Sequence, residues 1–468
     1  MDSKEFIHAS FTELSNLIEK QRISPVELTQ AYLNRIALLN ERLHAFITVD
    51  TAGALKAARI AELEIKAGRR VSPLHGIPMA VKDQMDAKGL PTTGGSSILN
   101  AIATGDSTVV SLLRKSGVVL LGKLNLSEFA LGGSIKHPYG IPRNPWDTER
   151  QPGQSSSGSG IAVAASMCAA AIGEDTSGSI RGPSSWCGIT GLRPTWGRVS
   201  RYGILPMSWS MDQAGPMAKT VEDCAKVFST IAGYDPNDAY TSRKPVPNYH
   251  PLDSLKGLRV GIIREAFGEQ MVDSDIQQRC KEAISVMQEI GAEVVDASIE
   301  LFPQGGLLSN GVADADAAYV HHERLSTRAS EYDFATRRRL LAASLMPAHL
   351  YQKAQRFRVV MQQQVMAALD GVDVLVTPTQ SQPPPFIATA TGLDSKEAVM
   401  RQFFGIRAHR GPFNLAAVPA MSVPCGFTTG GLPVGLQLVA KPFDESMLFQ
   451  VGGVYQAHTD WHTKQPQL

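Results

Sequence analysis

The five cysteines of this 468-residue chain, Cys168, Cys187, Cys224, Cys280 and Cys425, are scattered, odd in number and without CxxC spacing. That argues against a disulfide framework and against a zinc site, and for reduced thiols in a cytoplasmic protein. No other metal-ligand cluster is evident, so no metal or cofactor is expected. The N-terminus, MDSKEFIHASFTEL, has no apolar core of the kind a signal peptide needs. The longest apolar run, residues 160–173, is about 14 residues, short of the about 20 that cross a bilayer. Charge of one sign is also missing: 45 basic residues against 44 acidic ones leave a net charge of +1, with no basic block. Neither nucleic acid nor a membrane surface is therefore expected as a partner. There is no internal repeat, no low-complexity tail and no GxSxG elbow of the kind that carries a histidine-activated serine.

Hydrophobic residues make up 43% and charged residues 19%, the balance of a globular protein with a large core. The first seventy residues read as helical, with Ser24-Pro25-Val26-Glu27 as a capping box and Leu28, Tyr32, Ile36 and Leu39 following at helical spacing. A short strand, AFITVD, interrupts them. Beyond residue 76 strands and helices alternate. IPMAV (77–81), VVLLG (118–122), LRVGII (258–263), AEVVDA (292–297), VDVLVT (372–377), AMSVPC (420–425) and VGLQLVA (434–440) read as strands. Helices are expected from Asp106-Ser107 to Gly117 and from Ser274 to Ile290. The fold class is α/β, with a sheet covered on both faces. Residues 301–370 read as a helical covering layer. The proline-rich segment 235–256 reads equally as a linker or as a long surface loop.

The densest feature is GQSSSGSGIAVAASMCAAAIGEDTSGSIRGPSSWCG (153–188), which packs nine serines and seven glycines around an apolar run. The run 160–173, almost all small side chains, reads as one central helix that lets its neighbours approach closely. Its flanking serines have two readings: caps and solvated loops, or a set of interior hydroxyls that need partners, which a reaction centre would supply. A serine nucleophile needs a base and oxyanion donors. No histidine lies in this stretch, and His75, His321 and His322 read as structural. Lys82, at the end of the apolar strand GIPMAVKD (76–83), is either a strand-terminal lysine reaching solvent or a buried amine whose lowered pKa makes it a general base.

GIPMAVKD, PGQSSSGS (152–159) and EDTSGSIRGPSSWCGITGLRPTWGRVSRYG (174–203) strongly resemble the amidase signature family. So do GKLNLSEFALGGS (122–134), SWSMDQAGPMAKTVEDCA (208–225), VLVTPT (374–379) and the segment 414–440. The resemblance implies one α/β/α domain over residues 1–468 around a central mixed, twisted sheet, with an N-terminal helical segment (1–70), a catalytic core (76–230) and the covering layer (301–370). It also implies a Ser-Ser-Lys triad. In it Lys82 is the base, Ser155, preceded by a cis peptide bond, is the bridge, and Ser179 is the nucleophile that forms an acyl-enzyme. The backbone N–H groups of Thr176, Ser177, Gly178 and Ser179 match the oxyanion hole, and Ser156, Asp175 and Arg181 match supporting positions. The chain departs from the family's usual motif at Gln154, Ser157, Glu174 and Ser177.

The expected activity is hydrolysis of C–N acyl bonds in a small amide, anilide or carbamate (urethane). The alternatives are the glutamine-hydrolysing subunit of a tRNA-dependent amidotransferase and a catalytically silent scaffold. Arg407, His409 and Arg410 weigh against glutamine, since the resemblance would place a carboxylate there for its amine. Leu131, Gly132, Gly133, Met207 and Trp209 are the candidate pocket, an apolar lining suited to aryl or alkyl groups. A small molecule is the only partner expected of a monomer or homodimer.

Overall fold

The computed structural model describes residues 6–268, 271–388 and 409–468. The helix Pro25–Leu43 starts where its cap residues require: Ser24 Oγ accepts the Glu27 N–H at 3.0 Å, and the Glu27 carboxylate accepts the Ser24 N–H at 2.9 Å. Its Leu28, Tyr32, Ile36 and Leu39 are all buried.

Eleven strands form one sheet in the order β1 (Phe46–Val49), β5 (Val119–Leu124), β2 (Pro78–Lys82), β6 (Ala170–Glu174), β8 (Ala214–Ala218), β7 (Thr190–Arg193), β12 (Ala420–Phe427), β13 (Pro433–Val439), β11 (Val374–Pro378), β9 (Arg259–Ile263) and β10 (Glu293–Ala297). A separate ribbon pairs β3 (Pro91–Thr92) with β4 (Ala101–Ile102). The sheet is mixed: β5, β2 and β6 run parallel, as do β11, β9 and β10, while the strands from β6 through β8, β7, β12 and β13 to β11 pair antiparallel. Strands from both sides of residues 235–256 pair in it, through β7 and β12, and that segment contains no helix or strand.

Residues 305–370 form the expected helical layer: Gly305–Val320, His322–Arg328, Phe334–Ser344 and Ala348–Asp370. It buries Val312, Leu340, Met361 and Leu369 over Phe302, Leu375 and Phe413 in a cluster separate from the main core. The apolar run 160–173 is not the single helix its composition indicates. A short helix, Ser157–Ala164, ends just before Ser166 in the left-handed region (φ 55°), and the chain then turns into β6. Alanine and glycine carry neither the 3.6-residue nor the two-residue hydrophobic period, so the sequence leaves the switch unmarked. The same poverty of large side chains hides β7 and β8. No described helix is long and apolar enough to cross a membrane.

Candidate active site

The parallel strands β2 and β6 end side by side, and the chemistry gathers beyond their carboxyl ends, where open α/β sheets receive ligands. Lys82 is the last residue of β2 and is fully buried. Its Nζ donates to Ser155 Oγ at 2.7 Å, to the Glu174 carbonyl at 3.3 Å and to Glu174 Oε2 at 3.2 Å. Burial lowers its pKa below 10.5, while Glu174, Asp212 and Asp175 oppose the shift. The solvent-reaching reading of Lys82 is thereby excluded. Ser155 follows a cis Gln154–Ser155 peptide bond and is itself buried. Ser156 locks this turn to β6: its Oγ donates to the Glu174 carbonyl at 3.0 Å and accepts the Glu174 N–H at 3.2 Å. Its N–H donates to the Ser179 carbonyl at 3.2 Å, which brings the two serine-bearing turns together.

Within residues 155–187 every residue is buried except Ser179. The loop that presents it is shaped by Asp175. Burial alone would raise this carboxyl, but Arg181 and Arg193 overcome that and hold it well below the usual carboxylate range. Asp175 accepts the N–H of Gly178 at 2.7 Å and of Ile180 at 3.1 Å, Arg181 Nε at 3.1 Å and Asn414 Nδ2 at 2.7 Å. Gly178 turns at φ 105°, and a Cβ there would stand 2.1 Å from Arg410 Nε, so only glycine lets Arg410 lie across the loop. One expectation is corrected here. The Gly178 N–H is already committed to Asp175, so it is not a free oxyanion donor. The N–H groups of Thr176, Ser177 and Ser179 make no hydrogen bond among the described residues.

Arg181 is fully buried and ties this loop to the distant half of the sheet. It donates to Gln437 Oε1 at 2.5 Å, to the Arg410 carbonyl at 3.3 Å and to Asn414 Oδ1. Asn414 and Gln437 escaped sequence reading because nothing local marks a polar residue as the partner of an arginine far upstream. The motif departures also find partners. Gln154 Oε1 accepts the Gly133 N–H at 2.6 Å, the Ser157 hydroxyl donates to the Asn125 carbonyl at 3.4 Å, and Ser177 Oγ accepts from Ser309 of the covering layer at 2.8 Å.

A cavity of about 150 Å³ opens beside this turn, lined by Gly132, Gly133, Gln154, Gln380, Arg338 and Arg410 among others. Of the expected pocket residues Gly132 and Gly133 line it, beside the apolar Ile135, Trp186, Phe334 and Ile387, while the other three do not. Leu131 and Met207 are buried in the second core, and Trp209 lies half-exposed against Tyr240, at a different cavity. Packing, which the sequence does not display, turned Leu131 and Met207 inward. Arg407 lies outside the described residues. His409 is buried, its Nε2 donates to the Ala266 carbonyl at 2.9 Å, and burial lowers its pKa to about 4. Among the described residues no group of three His, Cys, Asp or Glu is placed to hold a metal ion.

Residues 27–449 match the family model described as Amidase. Among curated proteins, the chain is 40% identical to a glutamyl-tRNA(Gln) amidotransferase subunit of Rippkaea orientalis, over 98% of this chain and 100% of that one. A solved structure described as a vestigial protein complex, bearing on the origins of an s-triazine catabolic enzyme, superposes with TM-score 0.89 and 29% identity, over 98% of this chain and all of the other. The native peptide amidase of Stenotrophomonas maltophilia superposes with TM-score 0.85 and 29% identity, over 98% of each chain.

Proposed function

The chain belongs to the amidase family, and from that premise we propose that it hydrolyses the C–N bond of a small amide through an acyl-enzyme on Ser179. The observation that carries the proposal is the pairing of one accessible hydroxyl, Ser179, in a buried stretch with a buried Lys82–Ser155 contact of 2.7 Å beside it. Neutral Lys82 takes the Ser155 proton as Ser155 takes that of Ser179, and the Ser179 oxygen adds to the carbonyl carbon. The N–H groups of Thr176, Ser177 and Ser179 serve the oxyanion. The same chain returns the proton to the departing nitrogen, and water, activated by the same base, cleaves the ester.

Two forms of this reading differ in substrate. Likeness over nearly the whole length to a glutamyl-tRNA(Gln) amidotransferase component favours glutamine as the ammonia source, in an assembly with partner proteins and charged tRNA. A free-standing hydrolase of other small amides, carbamates included, is favoured by Arg410, a cation lying against Gly178 where an acidic partner for glutamine's amine would be wanted. The cavity sets arginines and amides beside Trp186, Phe334, Ile135 and Ile387, a lining suited to a substrate with both a polar and an apolar part. Ammonia release should therefore be assayed on glutamine, with and without amidotransferase partners, and on a panel of amides, anilides and carbamates. Release from glutamine only with partners selects the first form; release from the panel by the chain alone selects the second. A chain inert on every substrate and unlabelled by a fluorophosphonate would be a scaffold.

A further inference from the structure

Glu174 and Asp212 both contact one hydroxyl. Thr176 Oγ1 lies 2.9 Å from Glu174 Oε1 and 2.7 Å from Asp212 Oδ1, and all three residues are buried. A threonine hydroxyl has a single proton to donate. If both carboxyls were ionised, one of these contacts would set a lone pair against a buried anion with no donor between them, an arrangement that costs free energy in a dry site. A proton on one carboxyl removes the conflict: that carboxyl donates to Thr176, and Thr176 donates to the other. The far ends of the pair differ. Glu174 Oε2 faces Lys82 Nζ at 3.2 Å, whereas Asp212 Oδ2 accepts the N–H groups of Met207 at 2.8 Å and Ser208 at 2.9 Å. Each carboxyl therefore has its own means of supporting a charge, one through the lysine and one through the backbone. The other charged groups at the cluster are Asp175, with which Arg181 and Arg193 each pair, and these arginines, of which Arg193 also acts on Glu174 and Asp212 through its charge. Burial and the Glu174 charge push Asp212 up to about 7.

We propose that Glu174 and Asp212 share one proton across Thr176 and that its position follows the charge of Lys82. This rests on Lys82 being the base of the proposed reaction. While Lys82 is an ammonium ion, Glu174 is ionised and the proton is on Asp212. When Lys82 is neutral, Asp212 gives its proton to Thr176 Oγ1, and Thr176 passes its own to Glu174 Oε1. The negative charge moves to Asp212, where two backbone N–H groups hold it. One O–H bond forms at each acceptor as one breaks at each donor, so nothing is gained or lost. Glu174 and Asp212 are positioning residues, and their effect is to make neutral Lys82 accessible although it sits beside a carboxylate.

The test is the pH dependence of fluorophosphonate labelling at Ser179, which needs no identified substrate. Its acid limb reports protonation of Lys82. Glu174→Gln deletes the counter-charge and should move the limb down by roughly one pH unit. Asp212→Asn leaves Glu174 permanently ionised beside Lys82 and should move the limb up. An ordinary ionised Asp212 predicts the reverse, since its loss removes a negative charge. An Asp212→Asn limb that stays or moves down overturns the shared proton and leaves Lys82 as the base. A limb that Glu174→Gln also fails to move, or no labelling at all, overturns the catalytic reading and this inference together. The wild-type protein provides a second check. At a pH below the acid limb, where Lys82 is an ammonium ion, its infrared spectrum should contain a protonated-carboxyl C=O stretch that shifts on ¹³C-aspartate labelling and is lost in Asp212→Asn, and absence of that band overturns the proposal.

Discussion

A lysine at the buried end of a parallel strand lowers its energy by finding a counter-ion or by losing its proton, and Lys82 is placed to do both. It touches a carboxylate and a serine hydroxyl together. Burial draws its pKa below 10.5 against the pull of Glu174, Asp212 and Asp175. As the base of the proposed reaction it would act as the free amine, so the rate should fall as pH drops through that lowered value and Lys82 takes up a proton. Lys82→Ala should abolish this acid limb in whatever activity survives, and Lys82→Ala and Ser155→Ala should each cost about 10² to 10⁴ in rate. Because they serve one proton path, the double variant should be little slower than the slower single one. Multiplicative losses in labelling kinetics would separate the two residues. The contact of Lys82 with Ser155 was legible because the motifs that carry the two residues are long. The role of Glu174 was not: it registers in the sequence only as a departure, and Asp212 joins it through the antiparallel pairing of β6 with β8.

The helix Ser157–Ala164 explains why so little side chain is present around Ser155 and Ser156. A Cβ at Gly158 would stand 2.3 Å from the Ala45 carbonyl and 2.4 Å from the Asn125 nitrogen, while the Gly158 N–H donates to the Asn125 carbonyl at 2.8 Å. The helix thus lies against backbone at its first turn, immediately after Ser155 and Ser156. Gly158→Ala cannot be absorbed by a flexible side chain, so the turn itself must move. We expect a loss of about 1–3 kcal/mol in stability together with slower labelling of Ser179, read by thermal melting and fluorophosphonate kinetics on one preparation. A less stable protein labelled at the wild-type rate would show that the helix start does not aim Ser155. At this scale the sequence announced most strands and the covering helices through their hydrophobic periods. It failed at β6, β7 and β8, because small residues carry no period, and at β3 and β4, which are only two residues long. Of these β6 ends at the site beside β2, where close approach requires small residues.

Both halves of the sheet, not the serine-rich half alone, hold the loop of the proposed nucleophile, Ser179. Arg181 anchors Asp175, and its remaining donors end on Gln437 of β13, on Asn414 and on the Arg410 carbonyl, all from the last sixty residues. Gln437 in turn donates to Thr377 Oγ1 and to the His409 carbonyl, each at 2.8 Å. A fully buried guanidinium tolerates the loss of an acceptor poorly, since nothing replaces the missing hydrogen bond. Gln437→Leu should therefore cost about 1–3 kcal/mol and also slow acylation of Ser179, although the substitution is on a strand that contributes no catalytic group. Gln437→Glu, which restores an acceptor and pairs it with Arg181, should recover the labelling rate more fully than the stability, because the Thr377 and His409 contacts lose their donor. Equal labelling by Gln437→Leu and wild type, at a lower melting temperature, would mean that the loop is set by Asp175 alone and that the second half of the chain is only a scaffold for it.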